Sequence, residues 1–103
     1  MKFNTALDFI VYAIDLTRER IKRNSSFPVY ATFINQLLYI KAVFDSLEKD
    51  KSRLHKLSIG ALAAKEFEDT DYESARELMD VYCIANQLAN GLKVKLPEGL
   101  WRP

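Results

Sequence analysis

The sequence predicts an all-α protein: a small antiparallel four-helix bundle with an extended C-terminal tail. Three observations predict it. Apolar residues recur at helical spacing over most of the chain, so that each periodic stretch has one face to bury. Three Gly and three Pro in 103 residues leave few positions for the tight turns of a sheet sandwich. The connectors are short, and short connections make successive helices antiparallel neighbours.

The totals agree with one globular domain. A chain of 103 residues is near the commonest domain size and can close a single core. Apolar residues at 49% and charged residues at 28% are ordinary for a folded chain. A net charge of +1 excludes a polycation for nucleic acid or membrane surfaces. Cys83 is the single cysteine, so an internal disulfide is impossible. The apolar run after Lys2 is broken by Asp8 and Asp15 and lacks a small-residue cleavage site, which is not the pattern of a signal peptide. No stretch approaches the ~20 apolar residues of a membrane span. The expected compartment is the cytoplasm.

The first helix is expected over residues 4–22. Asn4 or Thr5 can cap it, with Asp8 placed three after Thr5 as in a capping box. Leu7, Ile10, Ala13, Ile14, Thr17 and Ile21 line its inner face, widened by Phe9 and Tyr12. Arg18, Arg20, Lys22 and Arg23 close the helix, where cations complement the macrodipole. Residues 24–27 form a loop, and Pro28 suits the first turn of a second helix reaching about Leu47. Its stripe is Tyr30, Phe33, Ile34, Leu37, Ile40, Phe44 and Leu47.

A charged connector, EKDKS, leads to a third helix that begins near Leu54, with Asp50 or Ser52 as its cap. Leu54, Leu57, Ala61 and Ala64 recur at helical spacing, flanked by Ile59, Leu62 and Ala63, so this helix is apolar nearly all round. Such a helix belongs at the centre of a bundle. Gly60 in its interior marks a place where a β-carbon does not fit. Glu66 to Asp71 then reads as an acidic loop. Thr70-Asp71-Tyr72-Glu73 has capping-box spacing and opens a fourth helix, with Leu78, Val81, Tyr82, Ala85 and Leu88 inward and Met79, Cys83 and Ile84 beside them. Cys83 is thus expected to be a small buried residue. Asn90-Gly91 is the stop, with Gly91 as the left-handed cap. Residues 92–97 alternate apolar and polar and should run extended, with Leu92, Val94 and Leu96 packed down. Trp101 needs either burial or a partner.

The run LHKLSIGALAAKEFEDTDYE, residues 54–73, together with GLKVKLP, residues 91–97, resembles the small helical immunity proteins of type VI secretion systems. Those proteins neutralise effectors that hydrolyse NAD(P). The resemblance extends over residues 1–97, as a pattern only before residue 50, and leaves 98–103 as a C-terminal extension. It implies a binding protein whose partner is the toxin domain of a cognate effector.

Catalytic signatures are missing. The chain has no Gly-rich phosphate loop, no His/Cys metal cluster and one histidine, His55. The Arg–His spacing of helical ribonucleases of the HEPN type is absent, because Arg53 lies too close to His55. No cofactor, metal site or enzymatic activity is therefore expected. The distribution of acids is more telling. Half of the 14 acidic residues fall in residues 66–80, with Arg76 as the lone local cation. A helix dipole accounts for Asp71 and Glu73 but not for Glu66 to Asp69, which sit at the unfavourable end of the third helix. An NAD(P)-binding cleft must attract phosphates, so an acidic plug complements it. The expected contact residues are Glu66, Glu68, Asp69, Asp71 and Tyr72. Phe67 is either an apolar anchor or the last core residue of its helix. The expected state is a monomer or a one-to-one heterocomplex. The alternatives are a non-enzymatic, self-associating helical scaffold, and an RNA-binding protein acting through the Arg18–Arg23 cluster and His55.

Overall fold

The computed structural model describes residues 5–24 and 28–96, which form four α-helices and one 3-10 turn. Helix α1 spans Ala6–Arg23, α2 Val29–Phe44, α3 Ile59–Phe67 and α4 Tyr72–Ala89, with the 3-10 turn at Ser52–Lys56 between α2 and α3. No strand occurs among the described residues. Helix α4 packs on α1 and α3 and touches the 3-10 turn, while α1 also packs on α2. The central helix is therefore α4, not the Gly- and Ala-rich third helix that the sequence suggested. At nine residues, α3 is too short to hold a bundle together.

Helix α1 follows expectation. Thr5 Oγ1 accepts from the Asp8 amide at 3.2 Å, and Asp8 Oδ2 accepts from the Thr5 amide at 3.0 Å, a complete capping box. Phe9, Ile10, Ala13, Ile14, Leu16 and Thr17 are buried. The Thr17 hydroxyl donates to the Ala13 carbonyl, so this buried polar group is satisfied.

Helix α2 stops short of Leu47. Asp45 is its cap, Ser46 adopts a left-handed φ of 63°, and the Leu47 amide donates to Ala42 O at 2.9 Å. The Ser46 amide donates to Val43 O, which completes a Schellman closure with serine in the position glycine usually takes. Leu47 is turned outward, 80% exposed. Tyr39 and Val43 take the buried places instead. The Tyr39 hydroxyl donates to Asp50 O at 2.7 Å, tying the connector to the helix.

The third apolar stretch is broken. After the 3-10 turn, Leu57 is extended, and α3 begins only at Ile59. The break is held by a side chain from another helix: Gln36 Oε1 accepts from the Ser58 and Ile59 amides at 3.0 and 3.1 Å, and Gln36 Nε2 donates to Ser58 Oγ. Gln36 thus satisfies donors that the start of α3 would otherwise leave open. The start at Ile59 also rotates the inner face to Ile59, Gly60, Ala63 and Phe67, leaving Ala61 exposed and Ala64 half-buried.

Helix α4 starts one residue later than the capping-box spacing indicated. Asp71, not Thr70, is the cap, accepting from the Ser74 amide. Its buried residues are Ser74, Ala75, Glu77, Leu78, Val81, Ile84 and Ala85. Cys83 is exposed, and Met79 is 45% exposed, both contrary to expectation. They lie on the side of α4 that neither α1 nor α3 covers. Gly91 adopts φ 70°, and the Leu92 amide donates to Gln87 O, as a glycine-closed helix end requires. The tail continues to residue 96 without regular secondary structure, with Val94 and Leu96 against the core but Leu92 60% exposed. Its pairing partner is a side chain: the Lys95 amide donates to Gln87 Oε1 at 2.8 Å, and Gln87 Nε2 donates to Lys95 O at 3.1 Å. Trp101 and the boundary at residues 97–98 lie outside the described residues.

Candidate protein-binding surface

Residues 66–71 are not an open loop. Glu66 and Phe67 close α3, and the turn that follows is wrapped onto its last carbonyls. The Asp71 and Thr70 amides donate to Phe67 O at 2.8 and 3.2 Å, and the Thr70 hydroxyl donates to Glu66 O. Phe67 is a core residue, 3% exposed, stacked on Tyr30 with ring centroids 5.7 Å apart and tilted against Phe33 at 5.5 Å. Of its two readings, the core one holds in the folded chain.

Asp71 is also turned inward. Its carboxylate accepts from the Ser74 hydroxyl at 2.7 Å and from Arg20 Nε at 2.8 Å. Arg20 comes from α1 and reaches further: its Nη2 donates to Glu73 Oε1 at 2.9 Å, while the Tyr12 hydroxyl donates to Glu73 Oε2 at 2.9 Å. The expectation that Arg76 alone offsets the acidic stretch is corrected by Arg20, 51 residues before Asp71. Burial alone would raise the Asp71 carboxyl, but hydrogen bonds from Arg20 and Ser74 more than offset it and hold its pKa below the usual 3.8. Burial, followed by the hydrogen bond to Glu73, pushes the Tyr12 phenol up to about 12. Hydrogen bonding to Asp71 holds the Arg20 guanidinium still more firmly in its charged form.

Glu77 is fully buried, with Arg76 Nη2 at 3.2 Å from its Oε1. The charge left at the surface is therefore smaller than the sequence count suggested. Glu68 and Asp69 are exposed, Glu66 and Asp80 half-buried, and Tyr72 is 68% exposed. Four of the six expected contact residues, Glu66, Glu68, Asp69 and Tyr72, remain on the outside. Two of them, Glu68 and Tyr72, line a shallow groove of about 250 Å³ together with Ala75, Arg76, Met79 and Asp80. Sequence reasoning missed its α4 side because Met79 falls at helical spacing beside true core positions. Tyr72, Ala75, Arg76, Met79 and Asp80 share one helical face, and that spacing could have found them.

No group of three His, Cys, Asp or Glu fit to hold a metal occurs among the described residues. His55 stands exposed on the 3-10 turn. Within the basic cluster, Arg23 pairs with Glu19 at 2.6 Å and Arg20 serves the acids of α4. No described helix is long and apolar enough to cross a membrane.

The sequence profile of the family described as Tsi6 matches residues 5–87 of this chain. The immune protein Tsi6 of Pseudomonas aeruginosa is 38% identical over 93 residues, covering 90% of this chain and 99% of the relative. The chain belongs to the Tsi6 family. Solved Tsi6-family structures agree with the fold. A chain in the structure of Tse6 in complex with Tsi6 superposes with a TM-score of 0.87 at 37% identity, covering 91% of this chain and all of that one. The structure of Tsi6 from Pseudomonas aeruginosa gives a TM-score of 0.80 at 35% identity, covering 93% of this chain and 100% of its own.

Proposed function

We propose that this chain is a cytoplasmic immunity protein that binds the toxin domain of a cognate effector and neutralises it by occluding its active site. The observation that carries this reading is the family membership, with near-complete coverage of a relative named as an immune protein and a close superposition on a chain solved in complex with Tse6. The resemblance of residues 54–73 and 91–97 to immunity proteins of NAD(P)-hydrolysing effectors names the toxin class. On this reading the protein acts by surface complementarity, in a one-to-one complex, with no turnover and no cofactor. Glu66, Glu68, Asp69 and Tyr72 are the proposed contacts, because they stay outside while Phe67 and Asp71 serve the fold.

Two experiments test this. Co-expression with the adjacent open reading frame should yield a complex that co-purifies, and NAD(P) loss should return when this chain is removed. A neighbour that neither binds this chain nor depletes NAD(P) overturns the reading. Reversing Glu68 and Asp69 to Lys should then weaken binding by about tenfold or more while helicity is retained, since rim charges act through complementarity. Unchanged affinity in that variant would remove the acidic contact from the proposal.

A further inference from the structure

We propose that the groove at the start of α4 seats a single arginine side chain of the effector's toxin domain, and that this seat anchors the complex. The inference rests on the immunity reading and goes beyond it by assigning a place and a chemistry to the contact. Tyr72 and Met79 lie two helical turns apart on one face and are 68% and 45% exposed. Between them Ala75, 2% exposed, forms a flat apolar floor. The volume, about 250 Å³, falls below the ~300–1,000 Å³ typical of small-molecule sites and suits one long side chain.

Charge decides the sign of the occupant. Glu68 at the end of α3 lines the groove and is exposed, and exposed Asp69 follows it in the chain. The one cation in the lining, Arg76, has Nε and Nη2 at 3.3 and 3.2 Å from Oε1 of the buried Glu77, so its charge is compensated from within. A guanidinium fits this acidic edge, its plane stacking on the Tyr72 ring and its methylene stem lying along Met79. A second groove among the described residues lies between α1 and α2, at Val11 and Leu38. It is bordered by Asp15, Arg18 and Lys41, a mixed set that selects no one charge and offers no aromatic ring.

The test is the affinity of the toxin domain recovered by co-purification, measured by calorimetry against Tyr72→Ala, Tyr72→Phe, Met79→Ala, Glu68→Lys and, as a control, Leu38→Ala. All four positions are surface-exposed, and unchanged circular dichroism and melting temperature check the fold. Tyr72→Ala, Met79→Ala and Glu68→Lys should each weaken binding by about tenfold or more, as truncation of a hot spot does. Leu38→Ala, away from the groove, should stay within about threefold of the parent, since non-central contacts are near neutral. Tyr72→Phe, which keeps the ring and loses the hydroxyl, should fall closer to the parent than Tyr72→Ala does. Parent-like affinity in Tyr72→Ala and Met79→Ala overturns the seat. Parent-like or tighter binding by Glu68→Lys overturns its cationic occupant. Absence of binding by the parent chain overturns the immunity reading itself, a result distinct from either.

Discussion

At Gly60, α3 crosses α4 so closely that a β-carbon built there would lie 2.7 Å from Cδ2 and 2.8 Å from Cγ of Tyr82. Real β-carbons do not approach so near, and Cγ sits too close to the backbone to swing away. Two effects compete in Gly60→Ala. Helix propensity favours alanine by roughly 1 kcal/mol. Overpacking a crossing of this kind costs about 1–3 kcal/mol. The clash wins, so Gly60→Ala should lower the free energy of unfolding, measured in urea, by up to roughly 2 kcal/mol. In a Tyr82→Ala background the same substitution should become stabilising. A stabilised single variant would show that the helices separate at little cost. The need for a missing β-carbon was legible from one glycine inside an apolar helix, but its partner was not. Tyr82 lies 22 residues further on, and only the packed angle of the two helices brings them together.

At the level of the helices, what the sequence conceals is where each one stops. Helix α4 ends at Asn90-Gly91, where the glycine announces the left-handed turn. Helix α2 uses the same closure at Ser46, and no residue type marks it; the apolar spacing runs on through Phe44 to Leu47. A left-handed non-glycine residue costs about 1–2 kcal/mol, part of which glycine gives back as chain entropy in the unfolded state. Ser46→Gly should therefore stabilise the protein by about 0.5–1 kcal/mol, read as a higher urea midpoint with an unchanged slope. A lower midpoint would mean that the serine hydroxyl, rather than the backbone turn, holds this corner. The broken third helix teaches the same lesson. Its start is dictated by Gln36, a polar residue on another helix, and a local reading of apolar spacing has no access to that.

For the molecule as a whole, the candidate surface was half legible. Clustering of acids in one stretch marked the right region, because charge density is a property of sequence. Which acids remain available is a property of the fold, and Arg20 removes Asp71 and Glu73 from the surface set. That network makes stability depend on pH with a definite sign. Asp71 has a folded pKa below the ordinary 3.8, so its contribution is present above about pH 4 and is lost as pH falls through the folded value. Melting temperatures of the parent and Arg20→Gln should differ near neutral pH and converge on acidification below that window. A gap that persists undiminished in acid would assign the arginine's effect to packing of its stem instead of to its charge.

The same ion pair has a consequence for the rates of folding. Arg20 and Asp71 are 51 residues apart, about half the chain, and the loop between them must close before they meet. Two intervening helices can form and dock without this contact, so it belongs to the native side of the transition state. Replacing Arg20 by Gln should accordingly accelerate unfolding in a stopped-flow experiment and leave the refolding arm nearly where it was. An equal shift in both arms would place the contact in the nucleus. What Arg20 sets, then, is how long the folded protein lasts rather than how quickly it is made.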